Sequence, residues 1–195
     1  MSALHKIGYG LYILTVKDEN KDNALIVNTV MQVADDKVAV SVNKANYSHD
    51  LIKNTGILNV NCLSVTAPFS VFKKYGFCSG RDTDKFAEGV VYRTENGLAG
   101  ITEYINAVLC LEVCDTVDLG SHTMFVCKVT DSFTVNEEES MTYSYYHKNV
   151  KPKAPKKAKG YVCKICNYVY EGDSLPADYV CPVCKHPASD FEVIG

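Results

Sequence analysis

Four of the nine cysteines in this 195-residue chain fall in its last 33 residues, as Cys163-x2-Cys166 and Cys181-x2-Cys184 with 14 residues between the pairs. Each CxxC folds into a tight knuckle whose thiolates converge, and two knuckles together build a tetrahedral cage of four sulfurs. A segment this short buries too little apolar surface to fold unaided, so a bound metal must contribute folding energy. Spacing alone leaves zinc and iron both open, because a tetrahedral sulfur cage suits either. His186 stands close by, but four thiolates already close the site, and it reads as a surface or packing residue.

The remaining cysteines (Cys62, Cys78, Cys110, Cys114 and Cys127) sit in apolar segments without paired spacing and read as small buried hydrophobes. Cys78 is the one worth testing for reactivity. An odd cysteine total, and no apolar leader over Met1 to Tyr9, argue against a secreted disulfide framework and for reduced thiols in a cytoplasm. No apolar run approaches the ~20 residues a membrane span needs.

Charge divides the chain into three. Residues 1–147 carry 12 Lys/Arg against 18 Asp/Glu, residues 148–159 carry six lysines and no acid, and residues 160–195 carry two lysines against five acids. The middle block, with Pro152 and Pro155, is too polar to fold and reads as a tether of roughly 20 Å flexible reach. It would let the tail swing over the main body or over a neighbouring subunit. No aromatic residues interleave with its lysines, which speaks against nucleic acid.

The body, residues 1–147, reads as mainly β. Strands are expected over Gly10–Val16, Ala24–Val33, Lys37–Asn43, Ile57–Leu63, Asn106–Val113 and Thr123–Asp131. Short helices are expected over Tyr47–Lys53, ended by Gly56, and over Pro68–Phe77. Many short strands with few helices suggest a closed antiparallel barrel. Neither a GxGxxG nor a GxxxxGK[ST] motif occurs, so any electron-carrying cofactor is not held in a Rossmann unit. Tyr143, Tyr145, Tyr146 and His147 read as packing or dimer contacts.

The tail segments Cys163-x-x-Cys166-x-Tyr168-x-Tyr170, Cys181-Pro-x-Cys184 and Asp190-Phe-Glu192 resemble the rubredoxin family, and Cys184-Lys-His-Pro187 most resembles the compact rubredoxin domain that ends rubrerythrins. That resemblance implies one redox-active iron on Cys163, Cys166, Cys181 and Cys184. Asn167 and Lys185 stand where rubredoxins at large have glycine; asparagine tolerates left-handed backbone well, lysine less so.

In the body, Asn23–Gln32, Ser41–His49, Phe77–Phe86 and Gly120–Phe125 are similar in order and spacing to the flavin reductase family. This resemblance implies an FMN-binding split β-barrel that works as a homodimer. It assigns Asn28, Thr29, Val30 and Gln32 to the isoalloxazine and Asn43 and Asn46 to the ribityl chain. Ser48, Ser79, Gly80, Arg81 and Lys85 fall to the phosphate, which needs hydroxyls, amides and a cation. His122 stands where the family carries a histidine beside flavin and nicotinamide. Barrel and tail together resemble the high-molecular-weight rubredoxins, which pass electrons from NAD(P)H through FMN and iron to a flavodiiron oxygen or nitric oxide reductase in anaerobes. Two other readings stay open: a passive carrier charged by a separate reductase, and a flavin-binding barrel with a structural zinc ribbon.

Overall fold

The computed structural model describes residues 6–19, 21–152 and 160–194. Most of the expected tether falls outside them. A seven-stranded antiparallel sheet carries the body, in the order β2-β1-β5-β6-β7-β4-β3. Its strands are β1 (Tyr12–Lys17), β2 (Asp22–Val27), β3 (Val30–Ala34), β4 (Lys37–Asn43), β5 (Ile57–Leu63), β6 (Ile105–Asp118) and β7 (His122–Thr134). Two helices accompany them, α1 (Tyr47–Thr55) and α2 (Phe69–Gly76).

Strand positions follow the apolar pattern, with three differences. The run expected as one strand over Ala24–Val33 is two, broken at Asn28-Thr29, and the two halves lie at opposite ends of the sheet order. No ladder joins β2 to β3 among the described residues, so the barrel is split along that seam rather than closed by backbone pairing. β6 and β7 also run longer than expected, because their distal halves are exposed and carry no apolar alternation.

β1 shows why its sequence is apolar without alternation. Leu14 and Val16 face the barrel interior with Val40, Val60, Leu111 and Phe125. Ile13 faces outward into a second cluster with Val71 and Phe72 of α2, Ile105 and Met141. A strand buried on both faces cannot show period two. α1 ends where the sequence says it should: Gly56 takes φ +71°, and its N–H bonds to Ile52 O at 2.9 Å. After β7 a short helical turn (Tyr143–Tyr145) leads into a π-helical turn (Tyr146–Val150), so the lysine-rich segment begins in ordered structure, with Val150 against the second cluster. The tail has its own antiparallel sheet, β8 (Gly160–Cys163), β9 (Val169–Tyr170) and β10 (Phe191–Ile194), in the order β10-β8-β9. No helix among the described residues is long and apolar enough to cross a membrane.

Candidate flavin cavity and four-cysteine metal centre

All four tail thiols are buried, and their Sγ atoms lie within 4.8 Å of one another. Cys163 and Cys184 approach at 3.5 Å, as do Cys166 and Cys181. A tetrahedron with metal–sulfur bonds of about 2.3 Å has edges of about 3.8 Å, so the cage fits one ion. The knuckles are near copies. Asn167 N–H bonds Cys163 O at 2.8 Å and Lys185 N–H bonds Cys181 O at 2.9 Å, at residues holding φ +60° and +61°. Both non-glycine residues therefore take the left-handed backbone their positions demand. Burial raises the pKa of the Cys166 thiol, and an ion that binds there displaces its proton. His186 turns its Nδ1 to Cys184 O at 3.0 Å and stays outside the sulfur cage.

In the body, polar groups converge on a cavity of about 310 Å³ between the N-terminus of α1, β2 and the loop after α2. Asn46, Ser48, Ser79, Gly80, Arg81 and Lys85 all line it. Asn46 caps α1 without a side-chain bond, which leaves the first-turn amides free of a side-chain acceptor. Ser48 accepts from Asn23 Nδ2 at 2.8 Å, which leaves its hydroxyl proton to donate. Ser79 Oγ accepts from Arg81 N at 3.2 Å, and the Arg81 guanidinium stands 5.3 Å over the Tyr47 ring. Gly80 has a steric reason: a Cβ there would collide with the Asn23 amide.

Lys85 is buried, and its ammonium donates to Ala24 O at 2.6 Å and Tyr75 O at 3.0 Å. Desolvation lowers its pKa to about 8. Two of its three protons are thus already engaged. Together with Tyr75 it also lines a second cavity of about 400 Å³ behind α2, which holds fewer convergent donors.

The other expected residues lie elsewhere. Asn28 and Thr29 form the corner at the split, where Thr29 O accepts from Ser41 N at 3.1 Å. Val30 and Gln32 line a separate depression with Tyr12, Met31 and Cys62. Asn43 closes a local turn, its Oδ1 accepting from Ala45 N at 2.8 Å, and it pairs in register with His122 at the start of β7. His122 Nδ1 meets Ser121 Oγ at 2.9 Å. The Asn43 carbonyl accepts from Asn46 N–H at 3.0 Å, so this turn runs directly into the cavity wall.

Asn23, which lines the cavity, and Lys21, which braces its loop, escaped the sequence reading. Asn23 is buried beneath Gly80, and its Oδ1 has no hydrogen-bond partner among the described residues. Lys21 fixes the loop by donating to Gly80 O at 2.7 Å. The signal was present in the polar Lys21-Asp22-Asn23 ahead of an apolar strand, but a strand end is polar for many reasons. The scattered cysteines also divide. Cys110 and Cys127 are buried as expected, whereas Cys62 and Cys78 are half-buried and Cys114 is exposed on the distal part of β6. Burial pushes Cys62 up to about 11 and Cys127 up to about 12, which makes both unreactive thiols.

The fit to a phosphorylated flavin is chemical. The described residues lining the cavity include Arg81 and Lys85 and no carboxylate, alongside a helix N-terminus, two serine hydroxyls and an orphaned amide oxygen. The flavin reductase like domain family matches residues 4–154, three quarters of the chain. The chain belongs to the flavin reductase-like family. The rubrerythrin, rubredoxin-like domain family matches residues 161–192, over the four cysteines. A relative aligned along both domains, the high molecular weight rubredoxin of Moorella thermoacetica, is 36% identical over 98% of both chains. A ferric-chelate reductase (NAD(P)H) of Archaeoglobus fulgidus is 34% identical over 83% of this chain and 96% of its own. Among solved structures, an NADH:FAD oxidoreductase of Streptomyces globisporus superposes with a TM-score of 0.64 at 18% identity, covering 71% of this chain and 83% of that one. The flavin reductase-like chain is therefore a flavin-dependent electron-transfer protein of mainly β fold, its barrel fused to a rubredoxin-type iron domain.

Proposed function

We propose that this protein oxidises NAD(P)H at FMN held in the barrel and passes the electrons singly through the four-cysteine iron to a flavodiiron-type oxygen or nitric oxide reductase. The observation carrying this reading is one chain that holds both an acid-free, donor-lined cavity in a flavin reductase-like barrel and a buried four-thiol cage. The Moorella relative is named a rubredoxin and aligns along both domains, and the Archaeoglobus relative is named for its use of NAD(P)H.

FMN, when bound, supplies a two-electron acceptor for hydride that can be emptied in single steps, and an iron held by four thiolates takes one electron at a time. The chain's own residues bind and orient. Ser48, Ser79, Arg81 and the first-turn amides of α1 hold the phosphate, with Gly80 allowing close approach and Lys85 backing the wall. Asn43 and Asn46 serve the ribityl hydroxyls. Asn28 and Thr29 at the split, with Val30 and Gln32 in the depression separate from the phosphate cavity, would border the ring where FMN extends out of that cavity, and His122 would orient the nicotinamide. Lacking a Rossmann unit, the barrel would bind nicotinamide weakly and transiently. Domain bounds of 1–147 and 160–195, with a tether between, belong to this reading, as does a cytoplasmic setting. Exposed Met31 and Val33 on β3, with Val117 and Leu119 at the β6–β7 hairpin, support assembly as a homodimer.

The test is the visible spectrum and metal content of anaerobically purified protein, followed by NADH or NADPH alone. We expect one iron and one FMN per chain, and bleaching of flavin and iron-thiolate bands without a second protein. Zinc in the cage when iron is plentiful, or no retained FMN, would sink the relay. Bands that bleach only when another reductase is added would make the protein a passive carrier.

A further inference from the structure

We infer that Phe77 is a positioning residue that docks the four-cysteine domain onto the flavin cavity of its own chain. Two observations meet at this one side chain. Phe77 lines the cavity together with Asn23, Ser48 and Arg81. It also packs against the buried cluster of Cys163, Cys166, Cys181 and Cys184. The other side chains against that cluster, Ile165, Tyr168, Val183 and Phe191, belong to the tail; among the described residues Phe77 is the barrel's contribution.

Its place is fixed from behind. Phe77 follows α2, its N–H bonded to Phe72 O at 3.1 Å and its ring 5.7 Å from that of Phe69. Phe72 in turn stacks on buried Tyr146 at 4.2 Å. Polar fastenings join the same face. Asn167 Nδ2 donates to Pro152 O at 2.6 Å, and Lys151 Nζ donates to Lys164 O at 3.3 Å. Lys164 and Asn167 belong to the Cys163–Cys166 knuckle, so this knuckle is the one held by the start of the tether, just after the π-helical turn whose Val150 packs on the barrel's second cluster. An apolar contact flanked by two side-chain bonds to backbone carbonyls sets an orientation, which a tether alone cannot do. The consequence for electron transfer rests on the function proposed above; the docking itself does not.

The metal reports on its own position. In full-length isotopically labelled protein, paramagnetic iron(III) broadens nuclear resonances near it, and zinc in the same cage does not. Should iron not be retained, cobalt(II) serves the same purpose, so failure of the relay and failure of the docking give different results. We expect signals of Ile26, Phe69, Val71 and Phe72 to be lost in the iron form and sharp in the zinc form. Phe77→Ala should restore at least half of their intensity, while Phe77→Leu, which keeps an apolar contact, should stay near wild type. Asn167→Gly keeps the left-handed backbone and removes the bond to Pro152, and should restore part of the signal without touching the cavity. Barrel signals indifferent to the metal, or still fully broadened in Phe77→Ala, would overturn the inference. So would broadening in zinc-loaded labelled chains mixed with excess iron-loaded unlabelled ones, which would place the contact on a partner subunit.

Discussion

Lys185 holds its place in the second knuckle at a cost: a residue with a Cβ at φ +61° is strained where glycine is not. Lys185→Gly should stabilise the metal-loaded tail by about 1 kcal/mol, read as a higher denaturant midpoint for loss of the metal–thiolate absorption. Lys85 carries a different strain. Desolvation first, then neighbouring Lys21, hold its pKa down at about 8 against the pull of Cys78. The folded state therefore binds fewer protons than the unfolded chain between about pH 8 and 10.5. Its burial penalty is full below that window and is relieved as pH rises through it. The unfolding free energy of wild type relative to Lys85→Met should thus increase by about 2–3 kcal/mol from pH 7 to pH 10 in flavin-free protein. The sequence offered Lys85 as a cation for phosphate, but could not show that Ala24 O and Tyr75 O already hold two of its protons. Nor could it show Asn23, whose importance comes from lying under Gly80, 57 positions away in the chain.

Elements were legible to the extent that burial followed a simple period. β4 alternates Val38, Val40 and Val42 into the interior and was readable residue by residue. The break between β2 and β3 was not, because Asn28-Thr29 interrupts an apolar run by only two polar residues and a strand tolerates that. The hairpin end of β6, Cys114–Asp118, was hidden for the opposite reason, since an exposed stretch has no apolar face to announce it. α1 combines both kinds of information. Its start and its Gly56 stop were plain, yet its use depends on Ser48 being turned toward Asn23 at 2.8 Å. Ser48→Ala removes a hydroxyl donor from the cavity and leaves the Asn23 amide without its partner. Loss of one such buried bond costs about 1–2 kcal/mol, so FMN affinity should fall roughly tenfold in a fluorescence titration, with α1 intact by circular dichroism. Unchanged affinity would place the phosphate elsewhere than the N-terminus of α1.

At the scale of the molecule, the two sheets draw on different sources of stability. The barrel buries two apolar clusters and needs no ion to close them. The tail core is four cysteines with a few partly buried neighbours, one of which, Phe77, is borrowed from the barrel. Their meeting was invisible in the sequence, which places Phe77 and Cys163 far apart and links them by no pattern. Without an ion, four crowded thiols offer each other neither charge balance nor strong bonds, and β8, β9 and β10 lose what aligns them. Chelation should therefore melt the tail alone. Its ring cluster gives the readout, since Tyr170 and Tyr179 lie 4.7 Å apart, Tyr179 and Phe191 5.5 Å apart, and the chain has no tryptophan to obscure them. Near-ultraviolet dichroism from these rings should collapse on metal removal and return when iron or zinc is restored. Bound FMN and the amide-exchange protection of β1, β5 and β6 should persist throughout, because local unfolding of one cooperative unit need not spread to another. If the barrel instead lost its flavin together with the metal, the Phe77 contact would be a structural requirement of the cavity and the two halves would form a single folding unit.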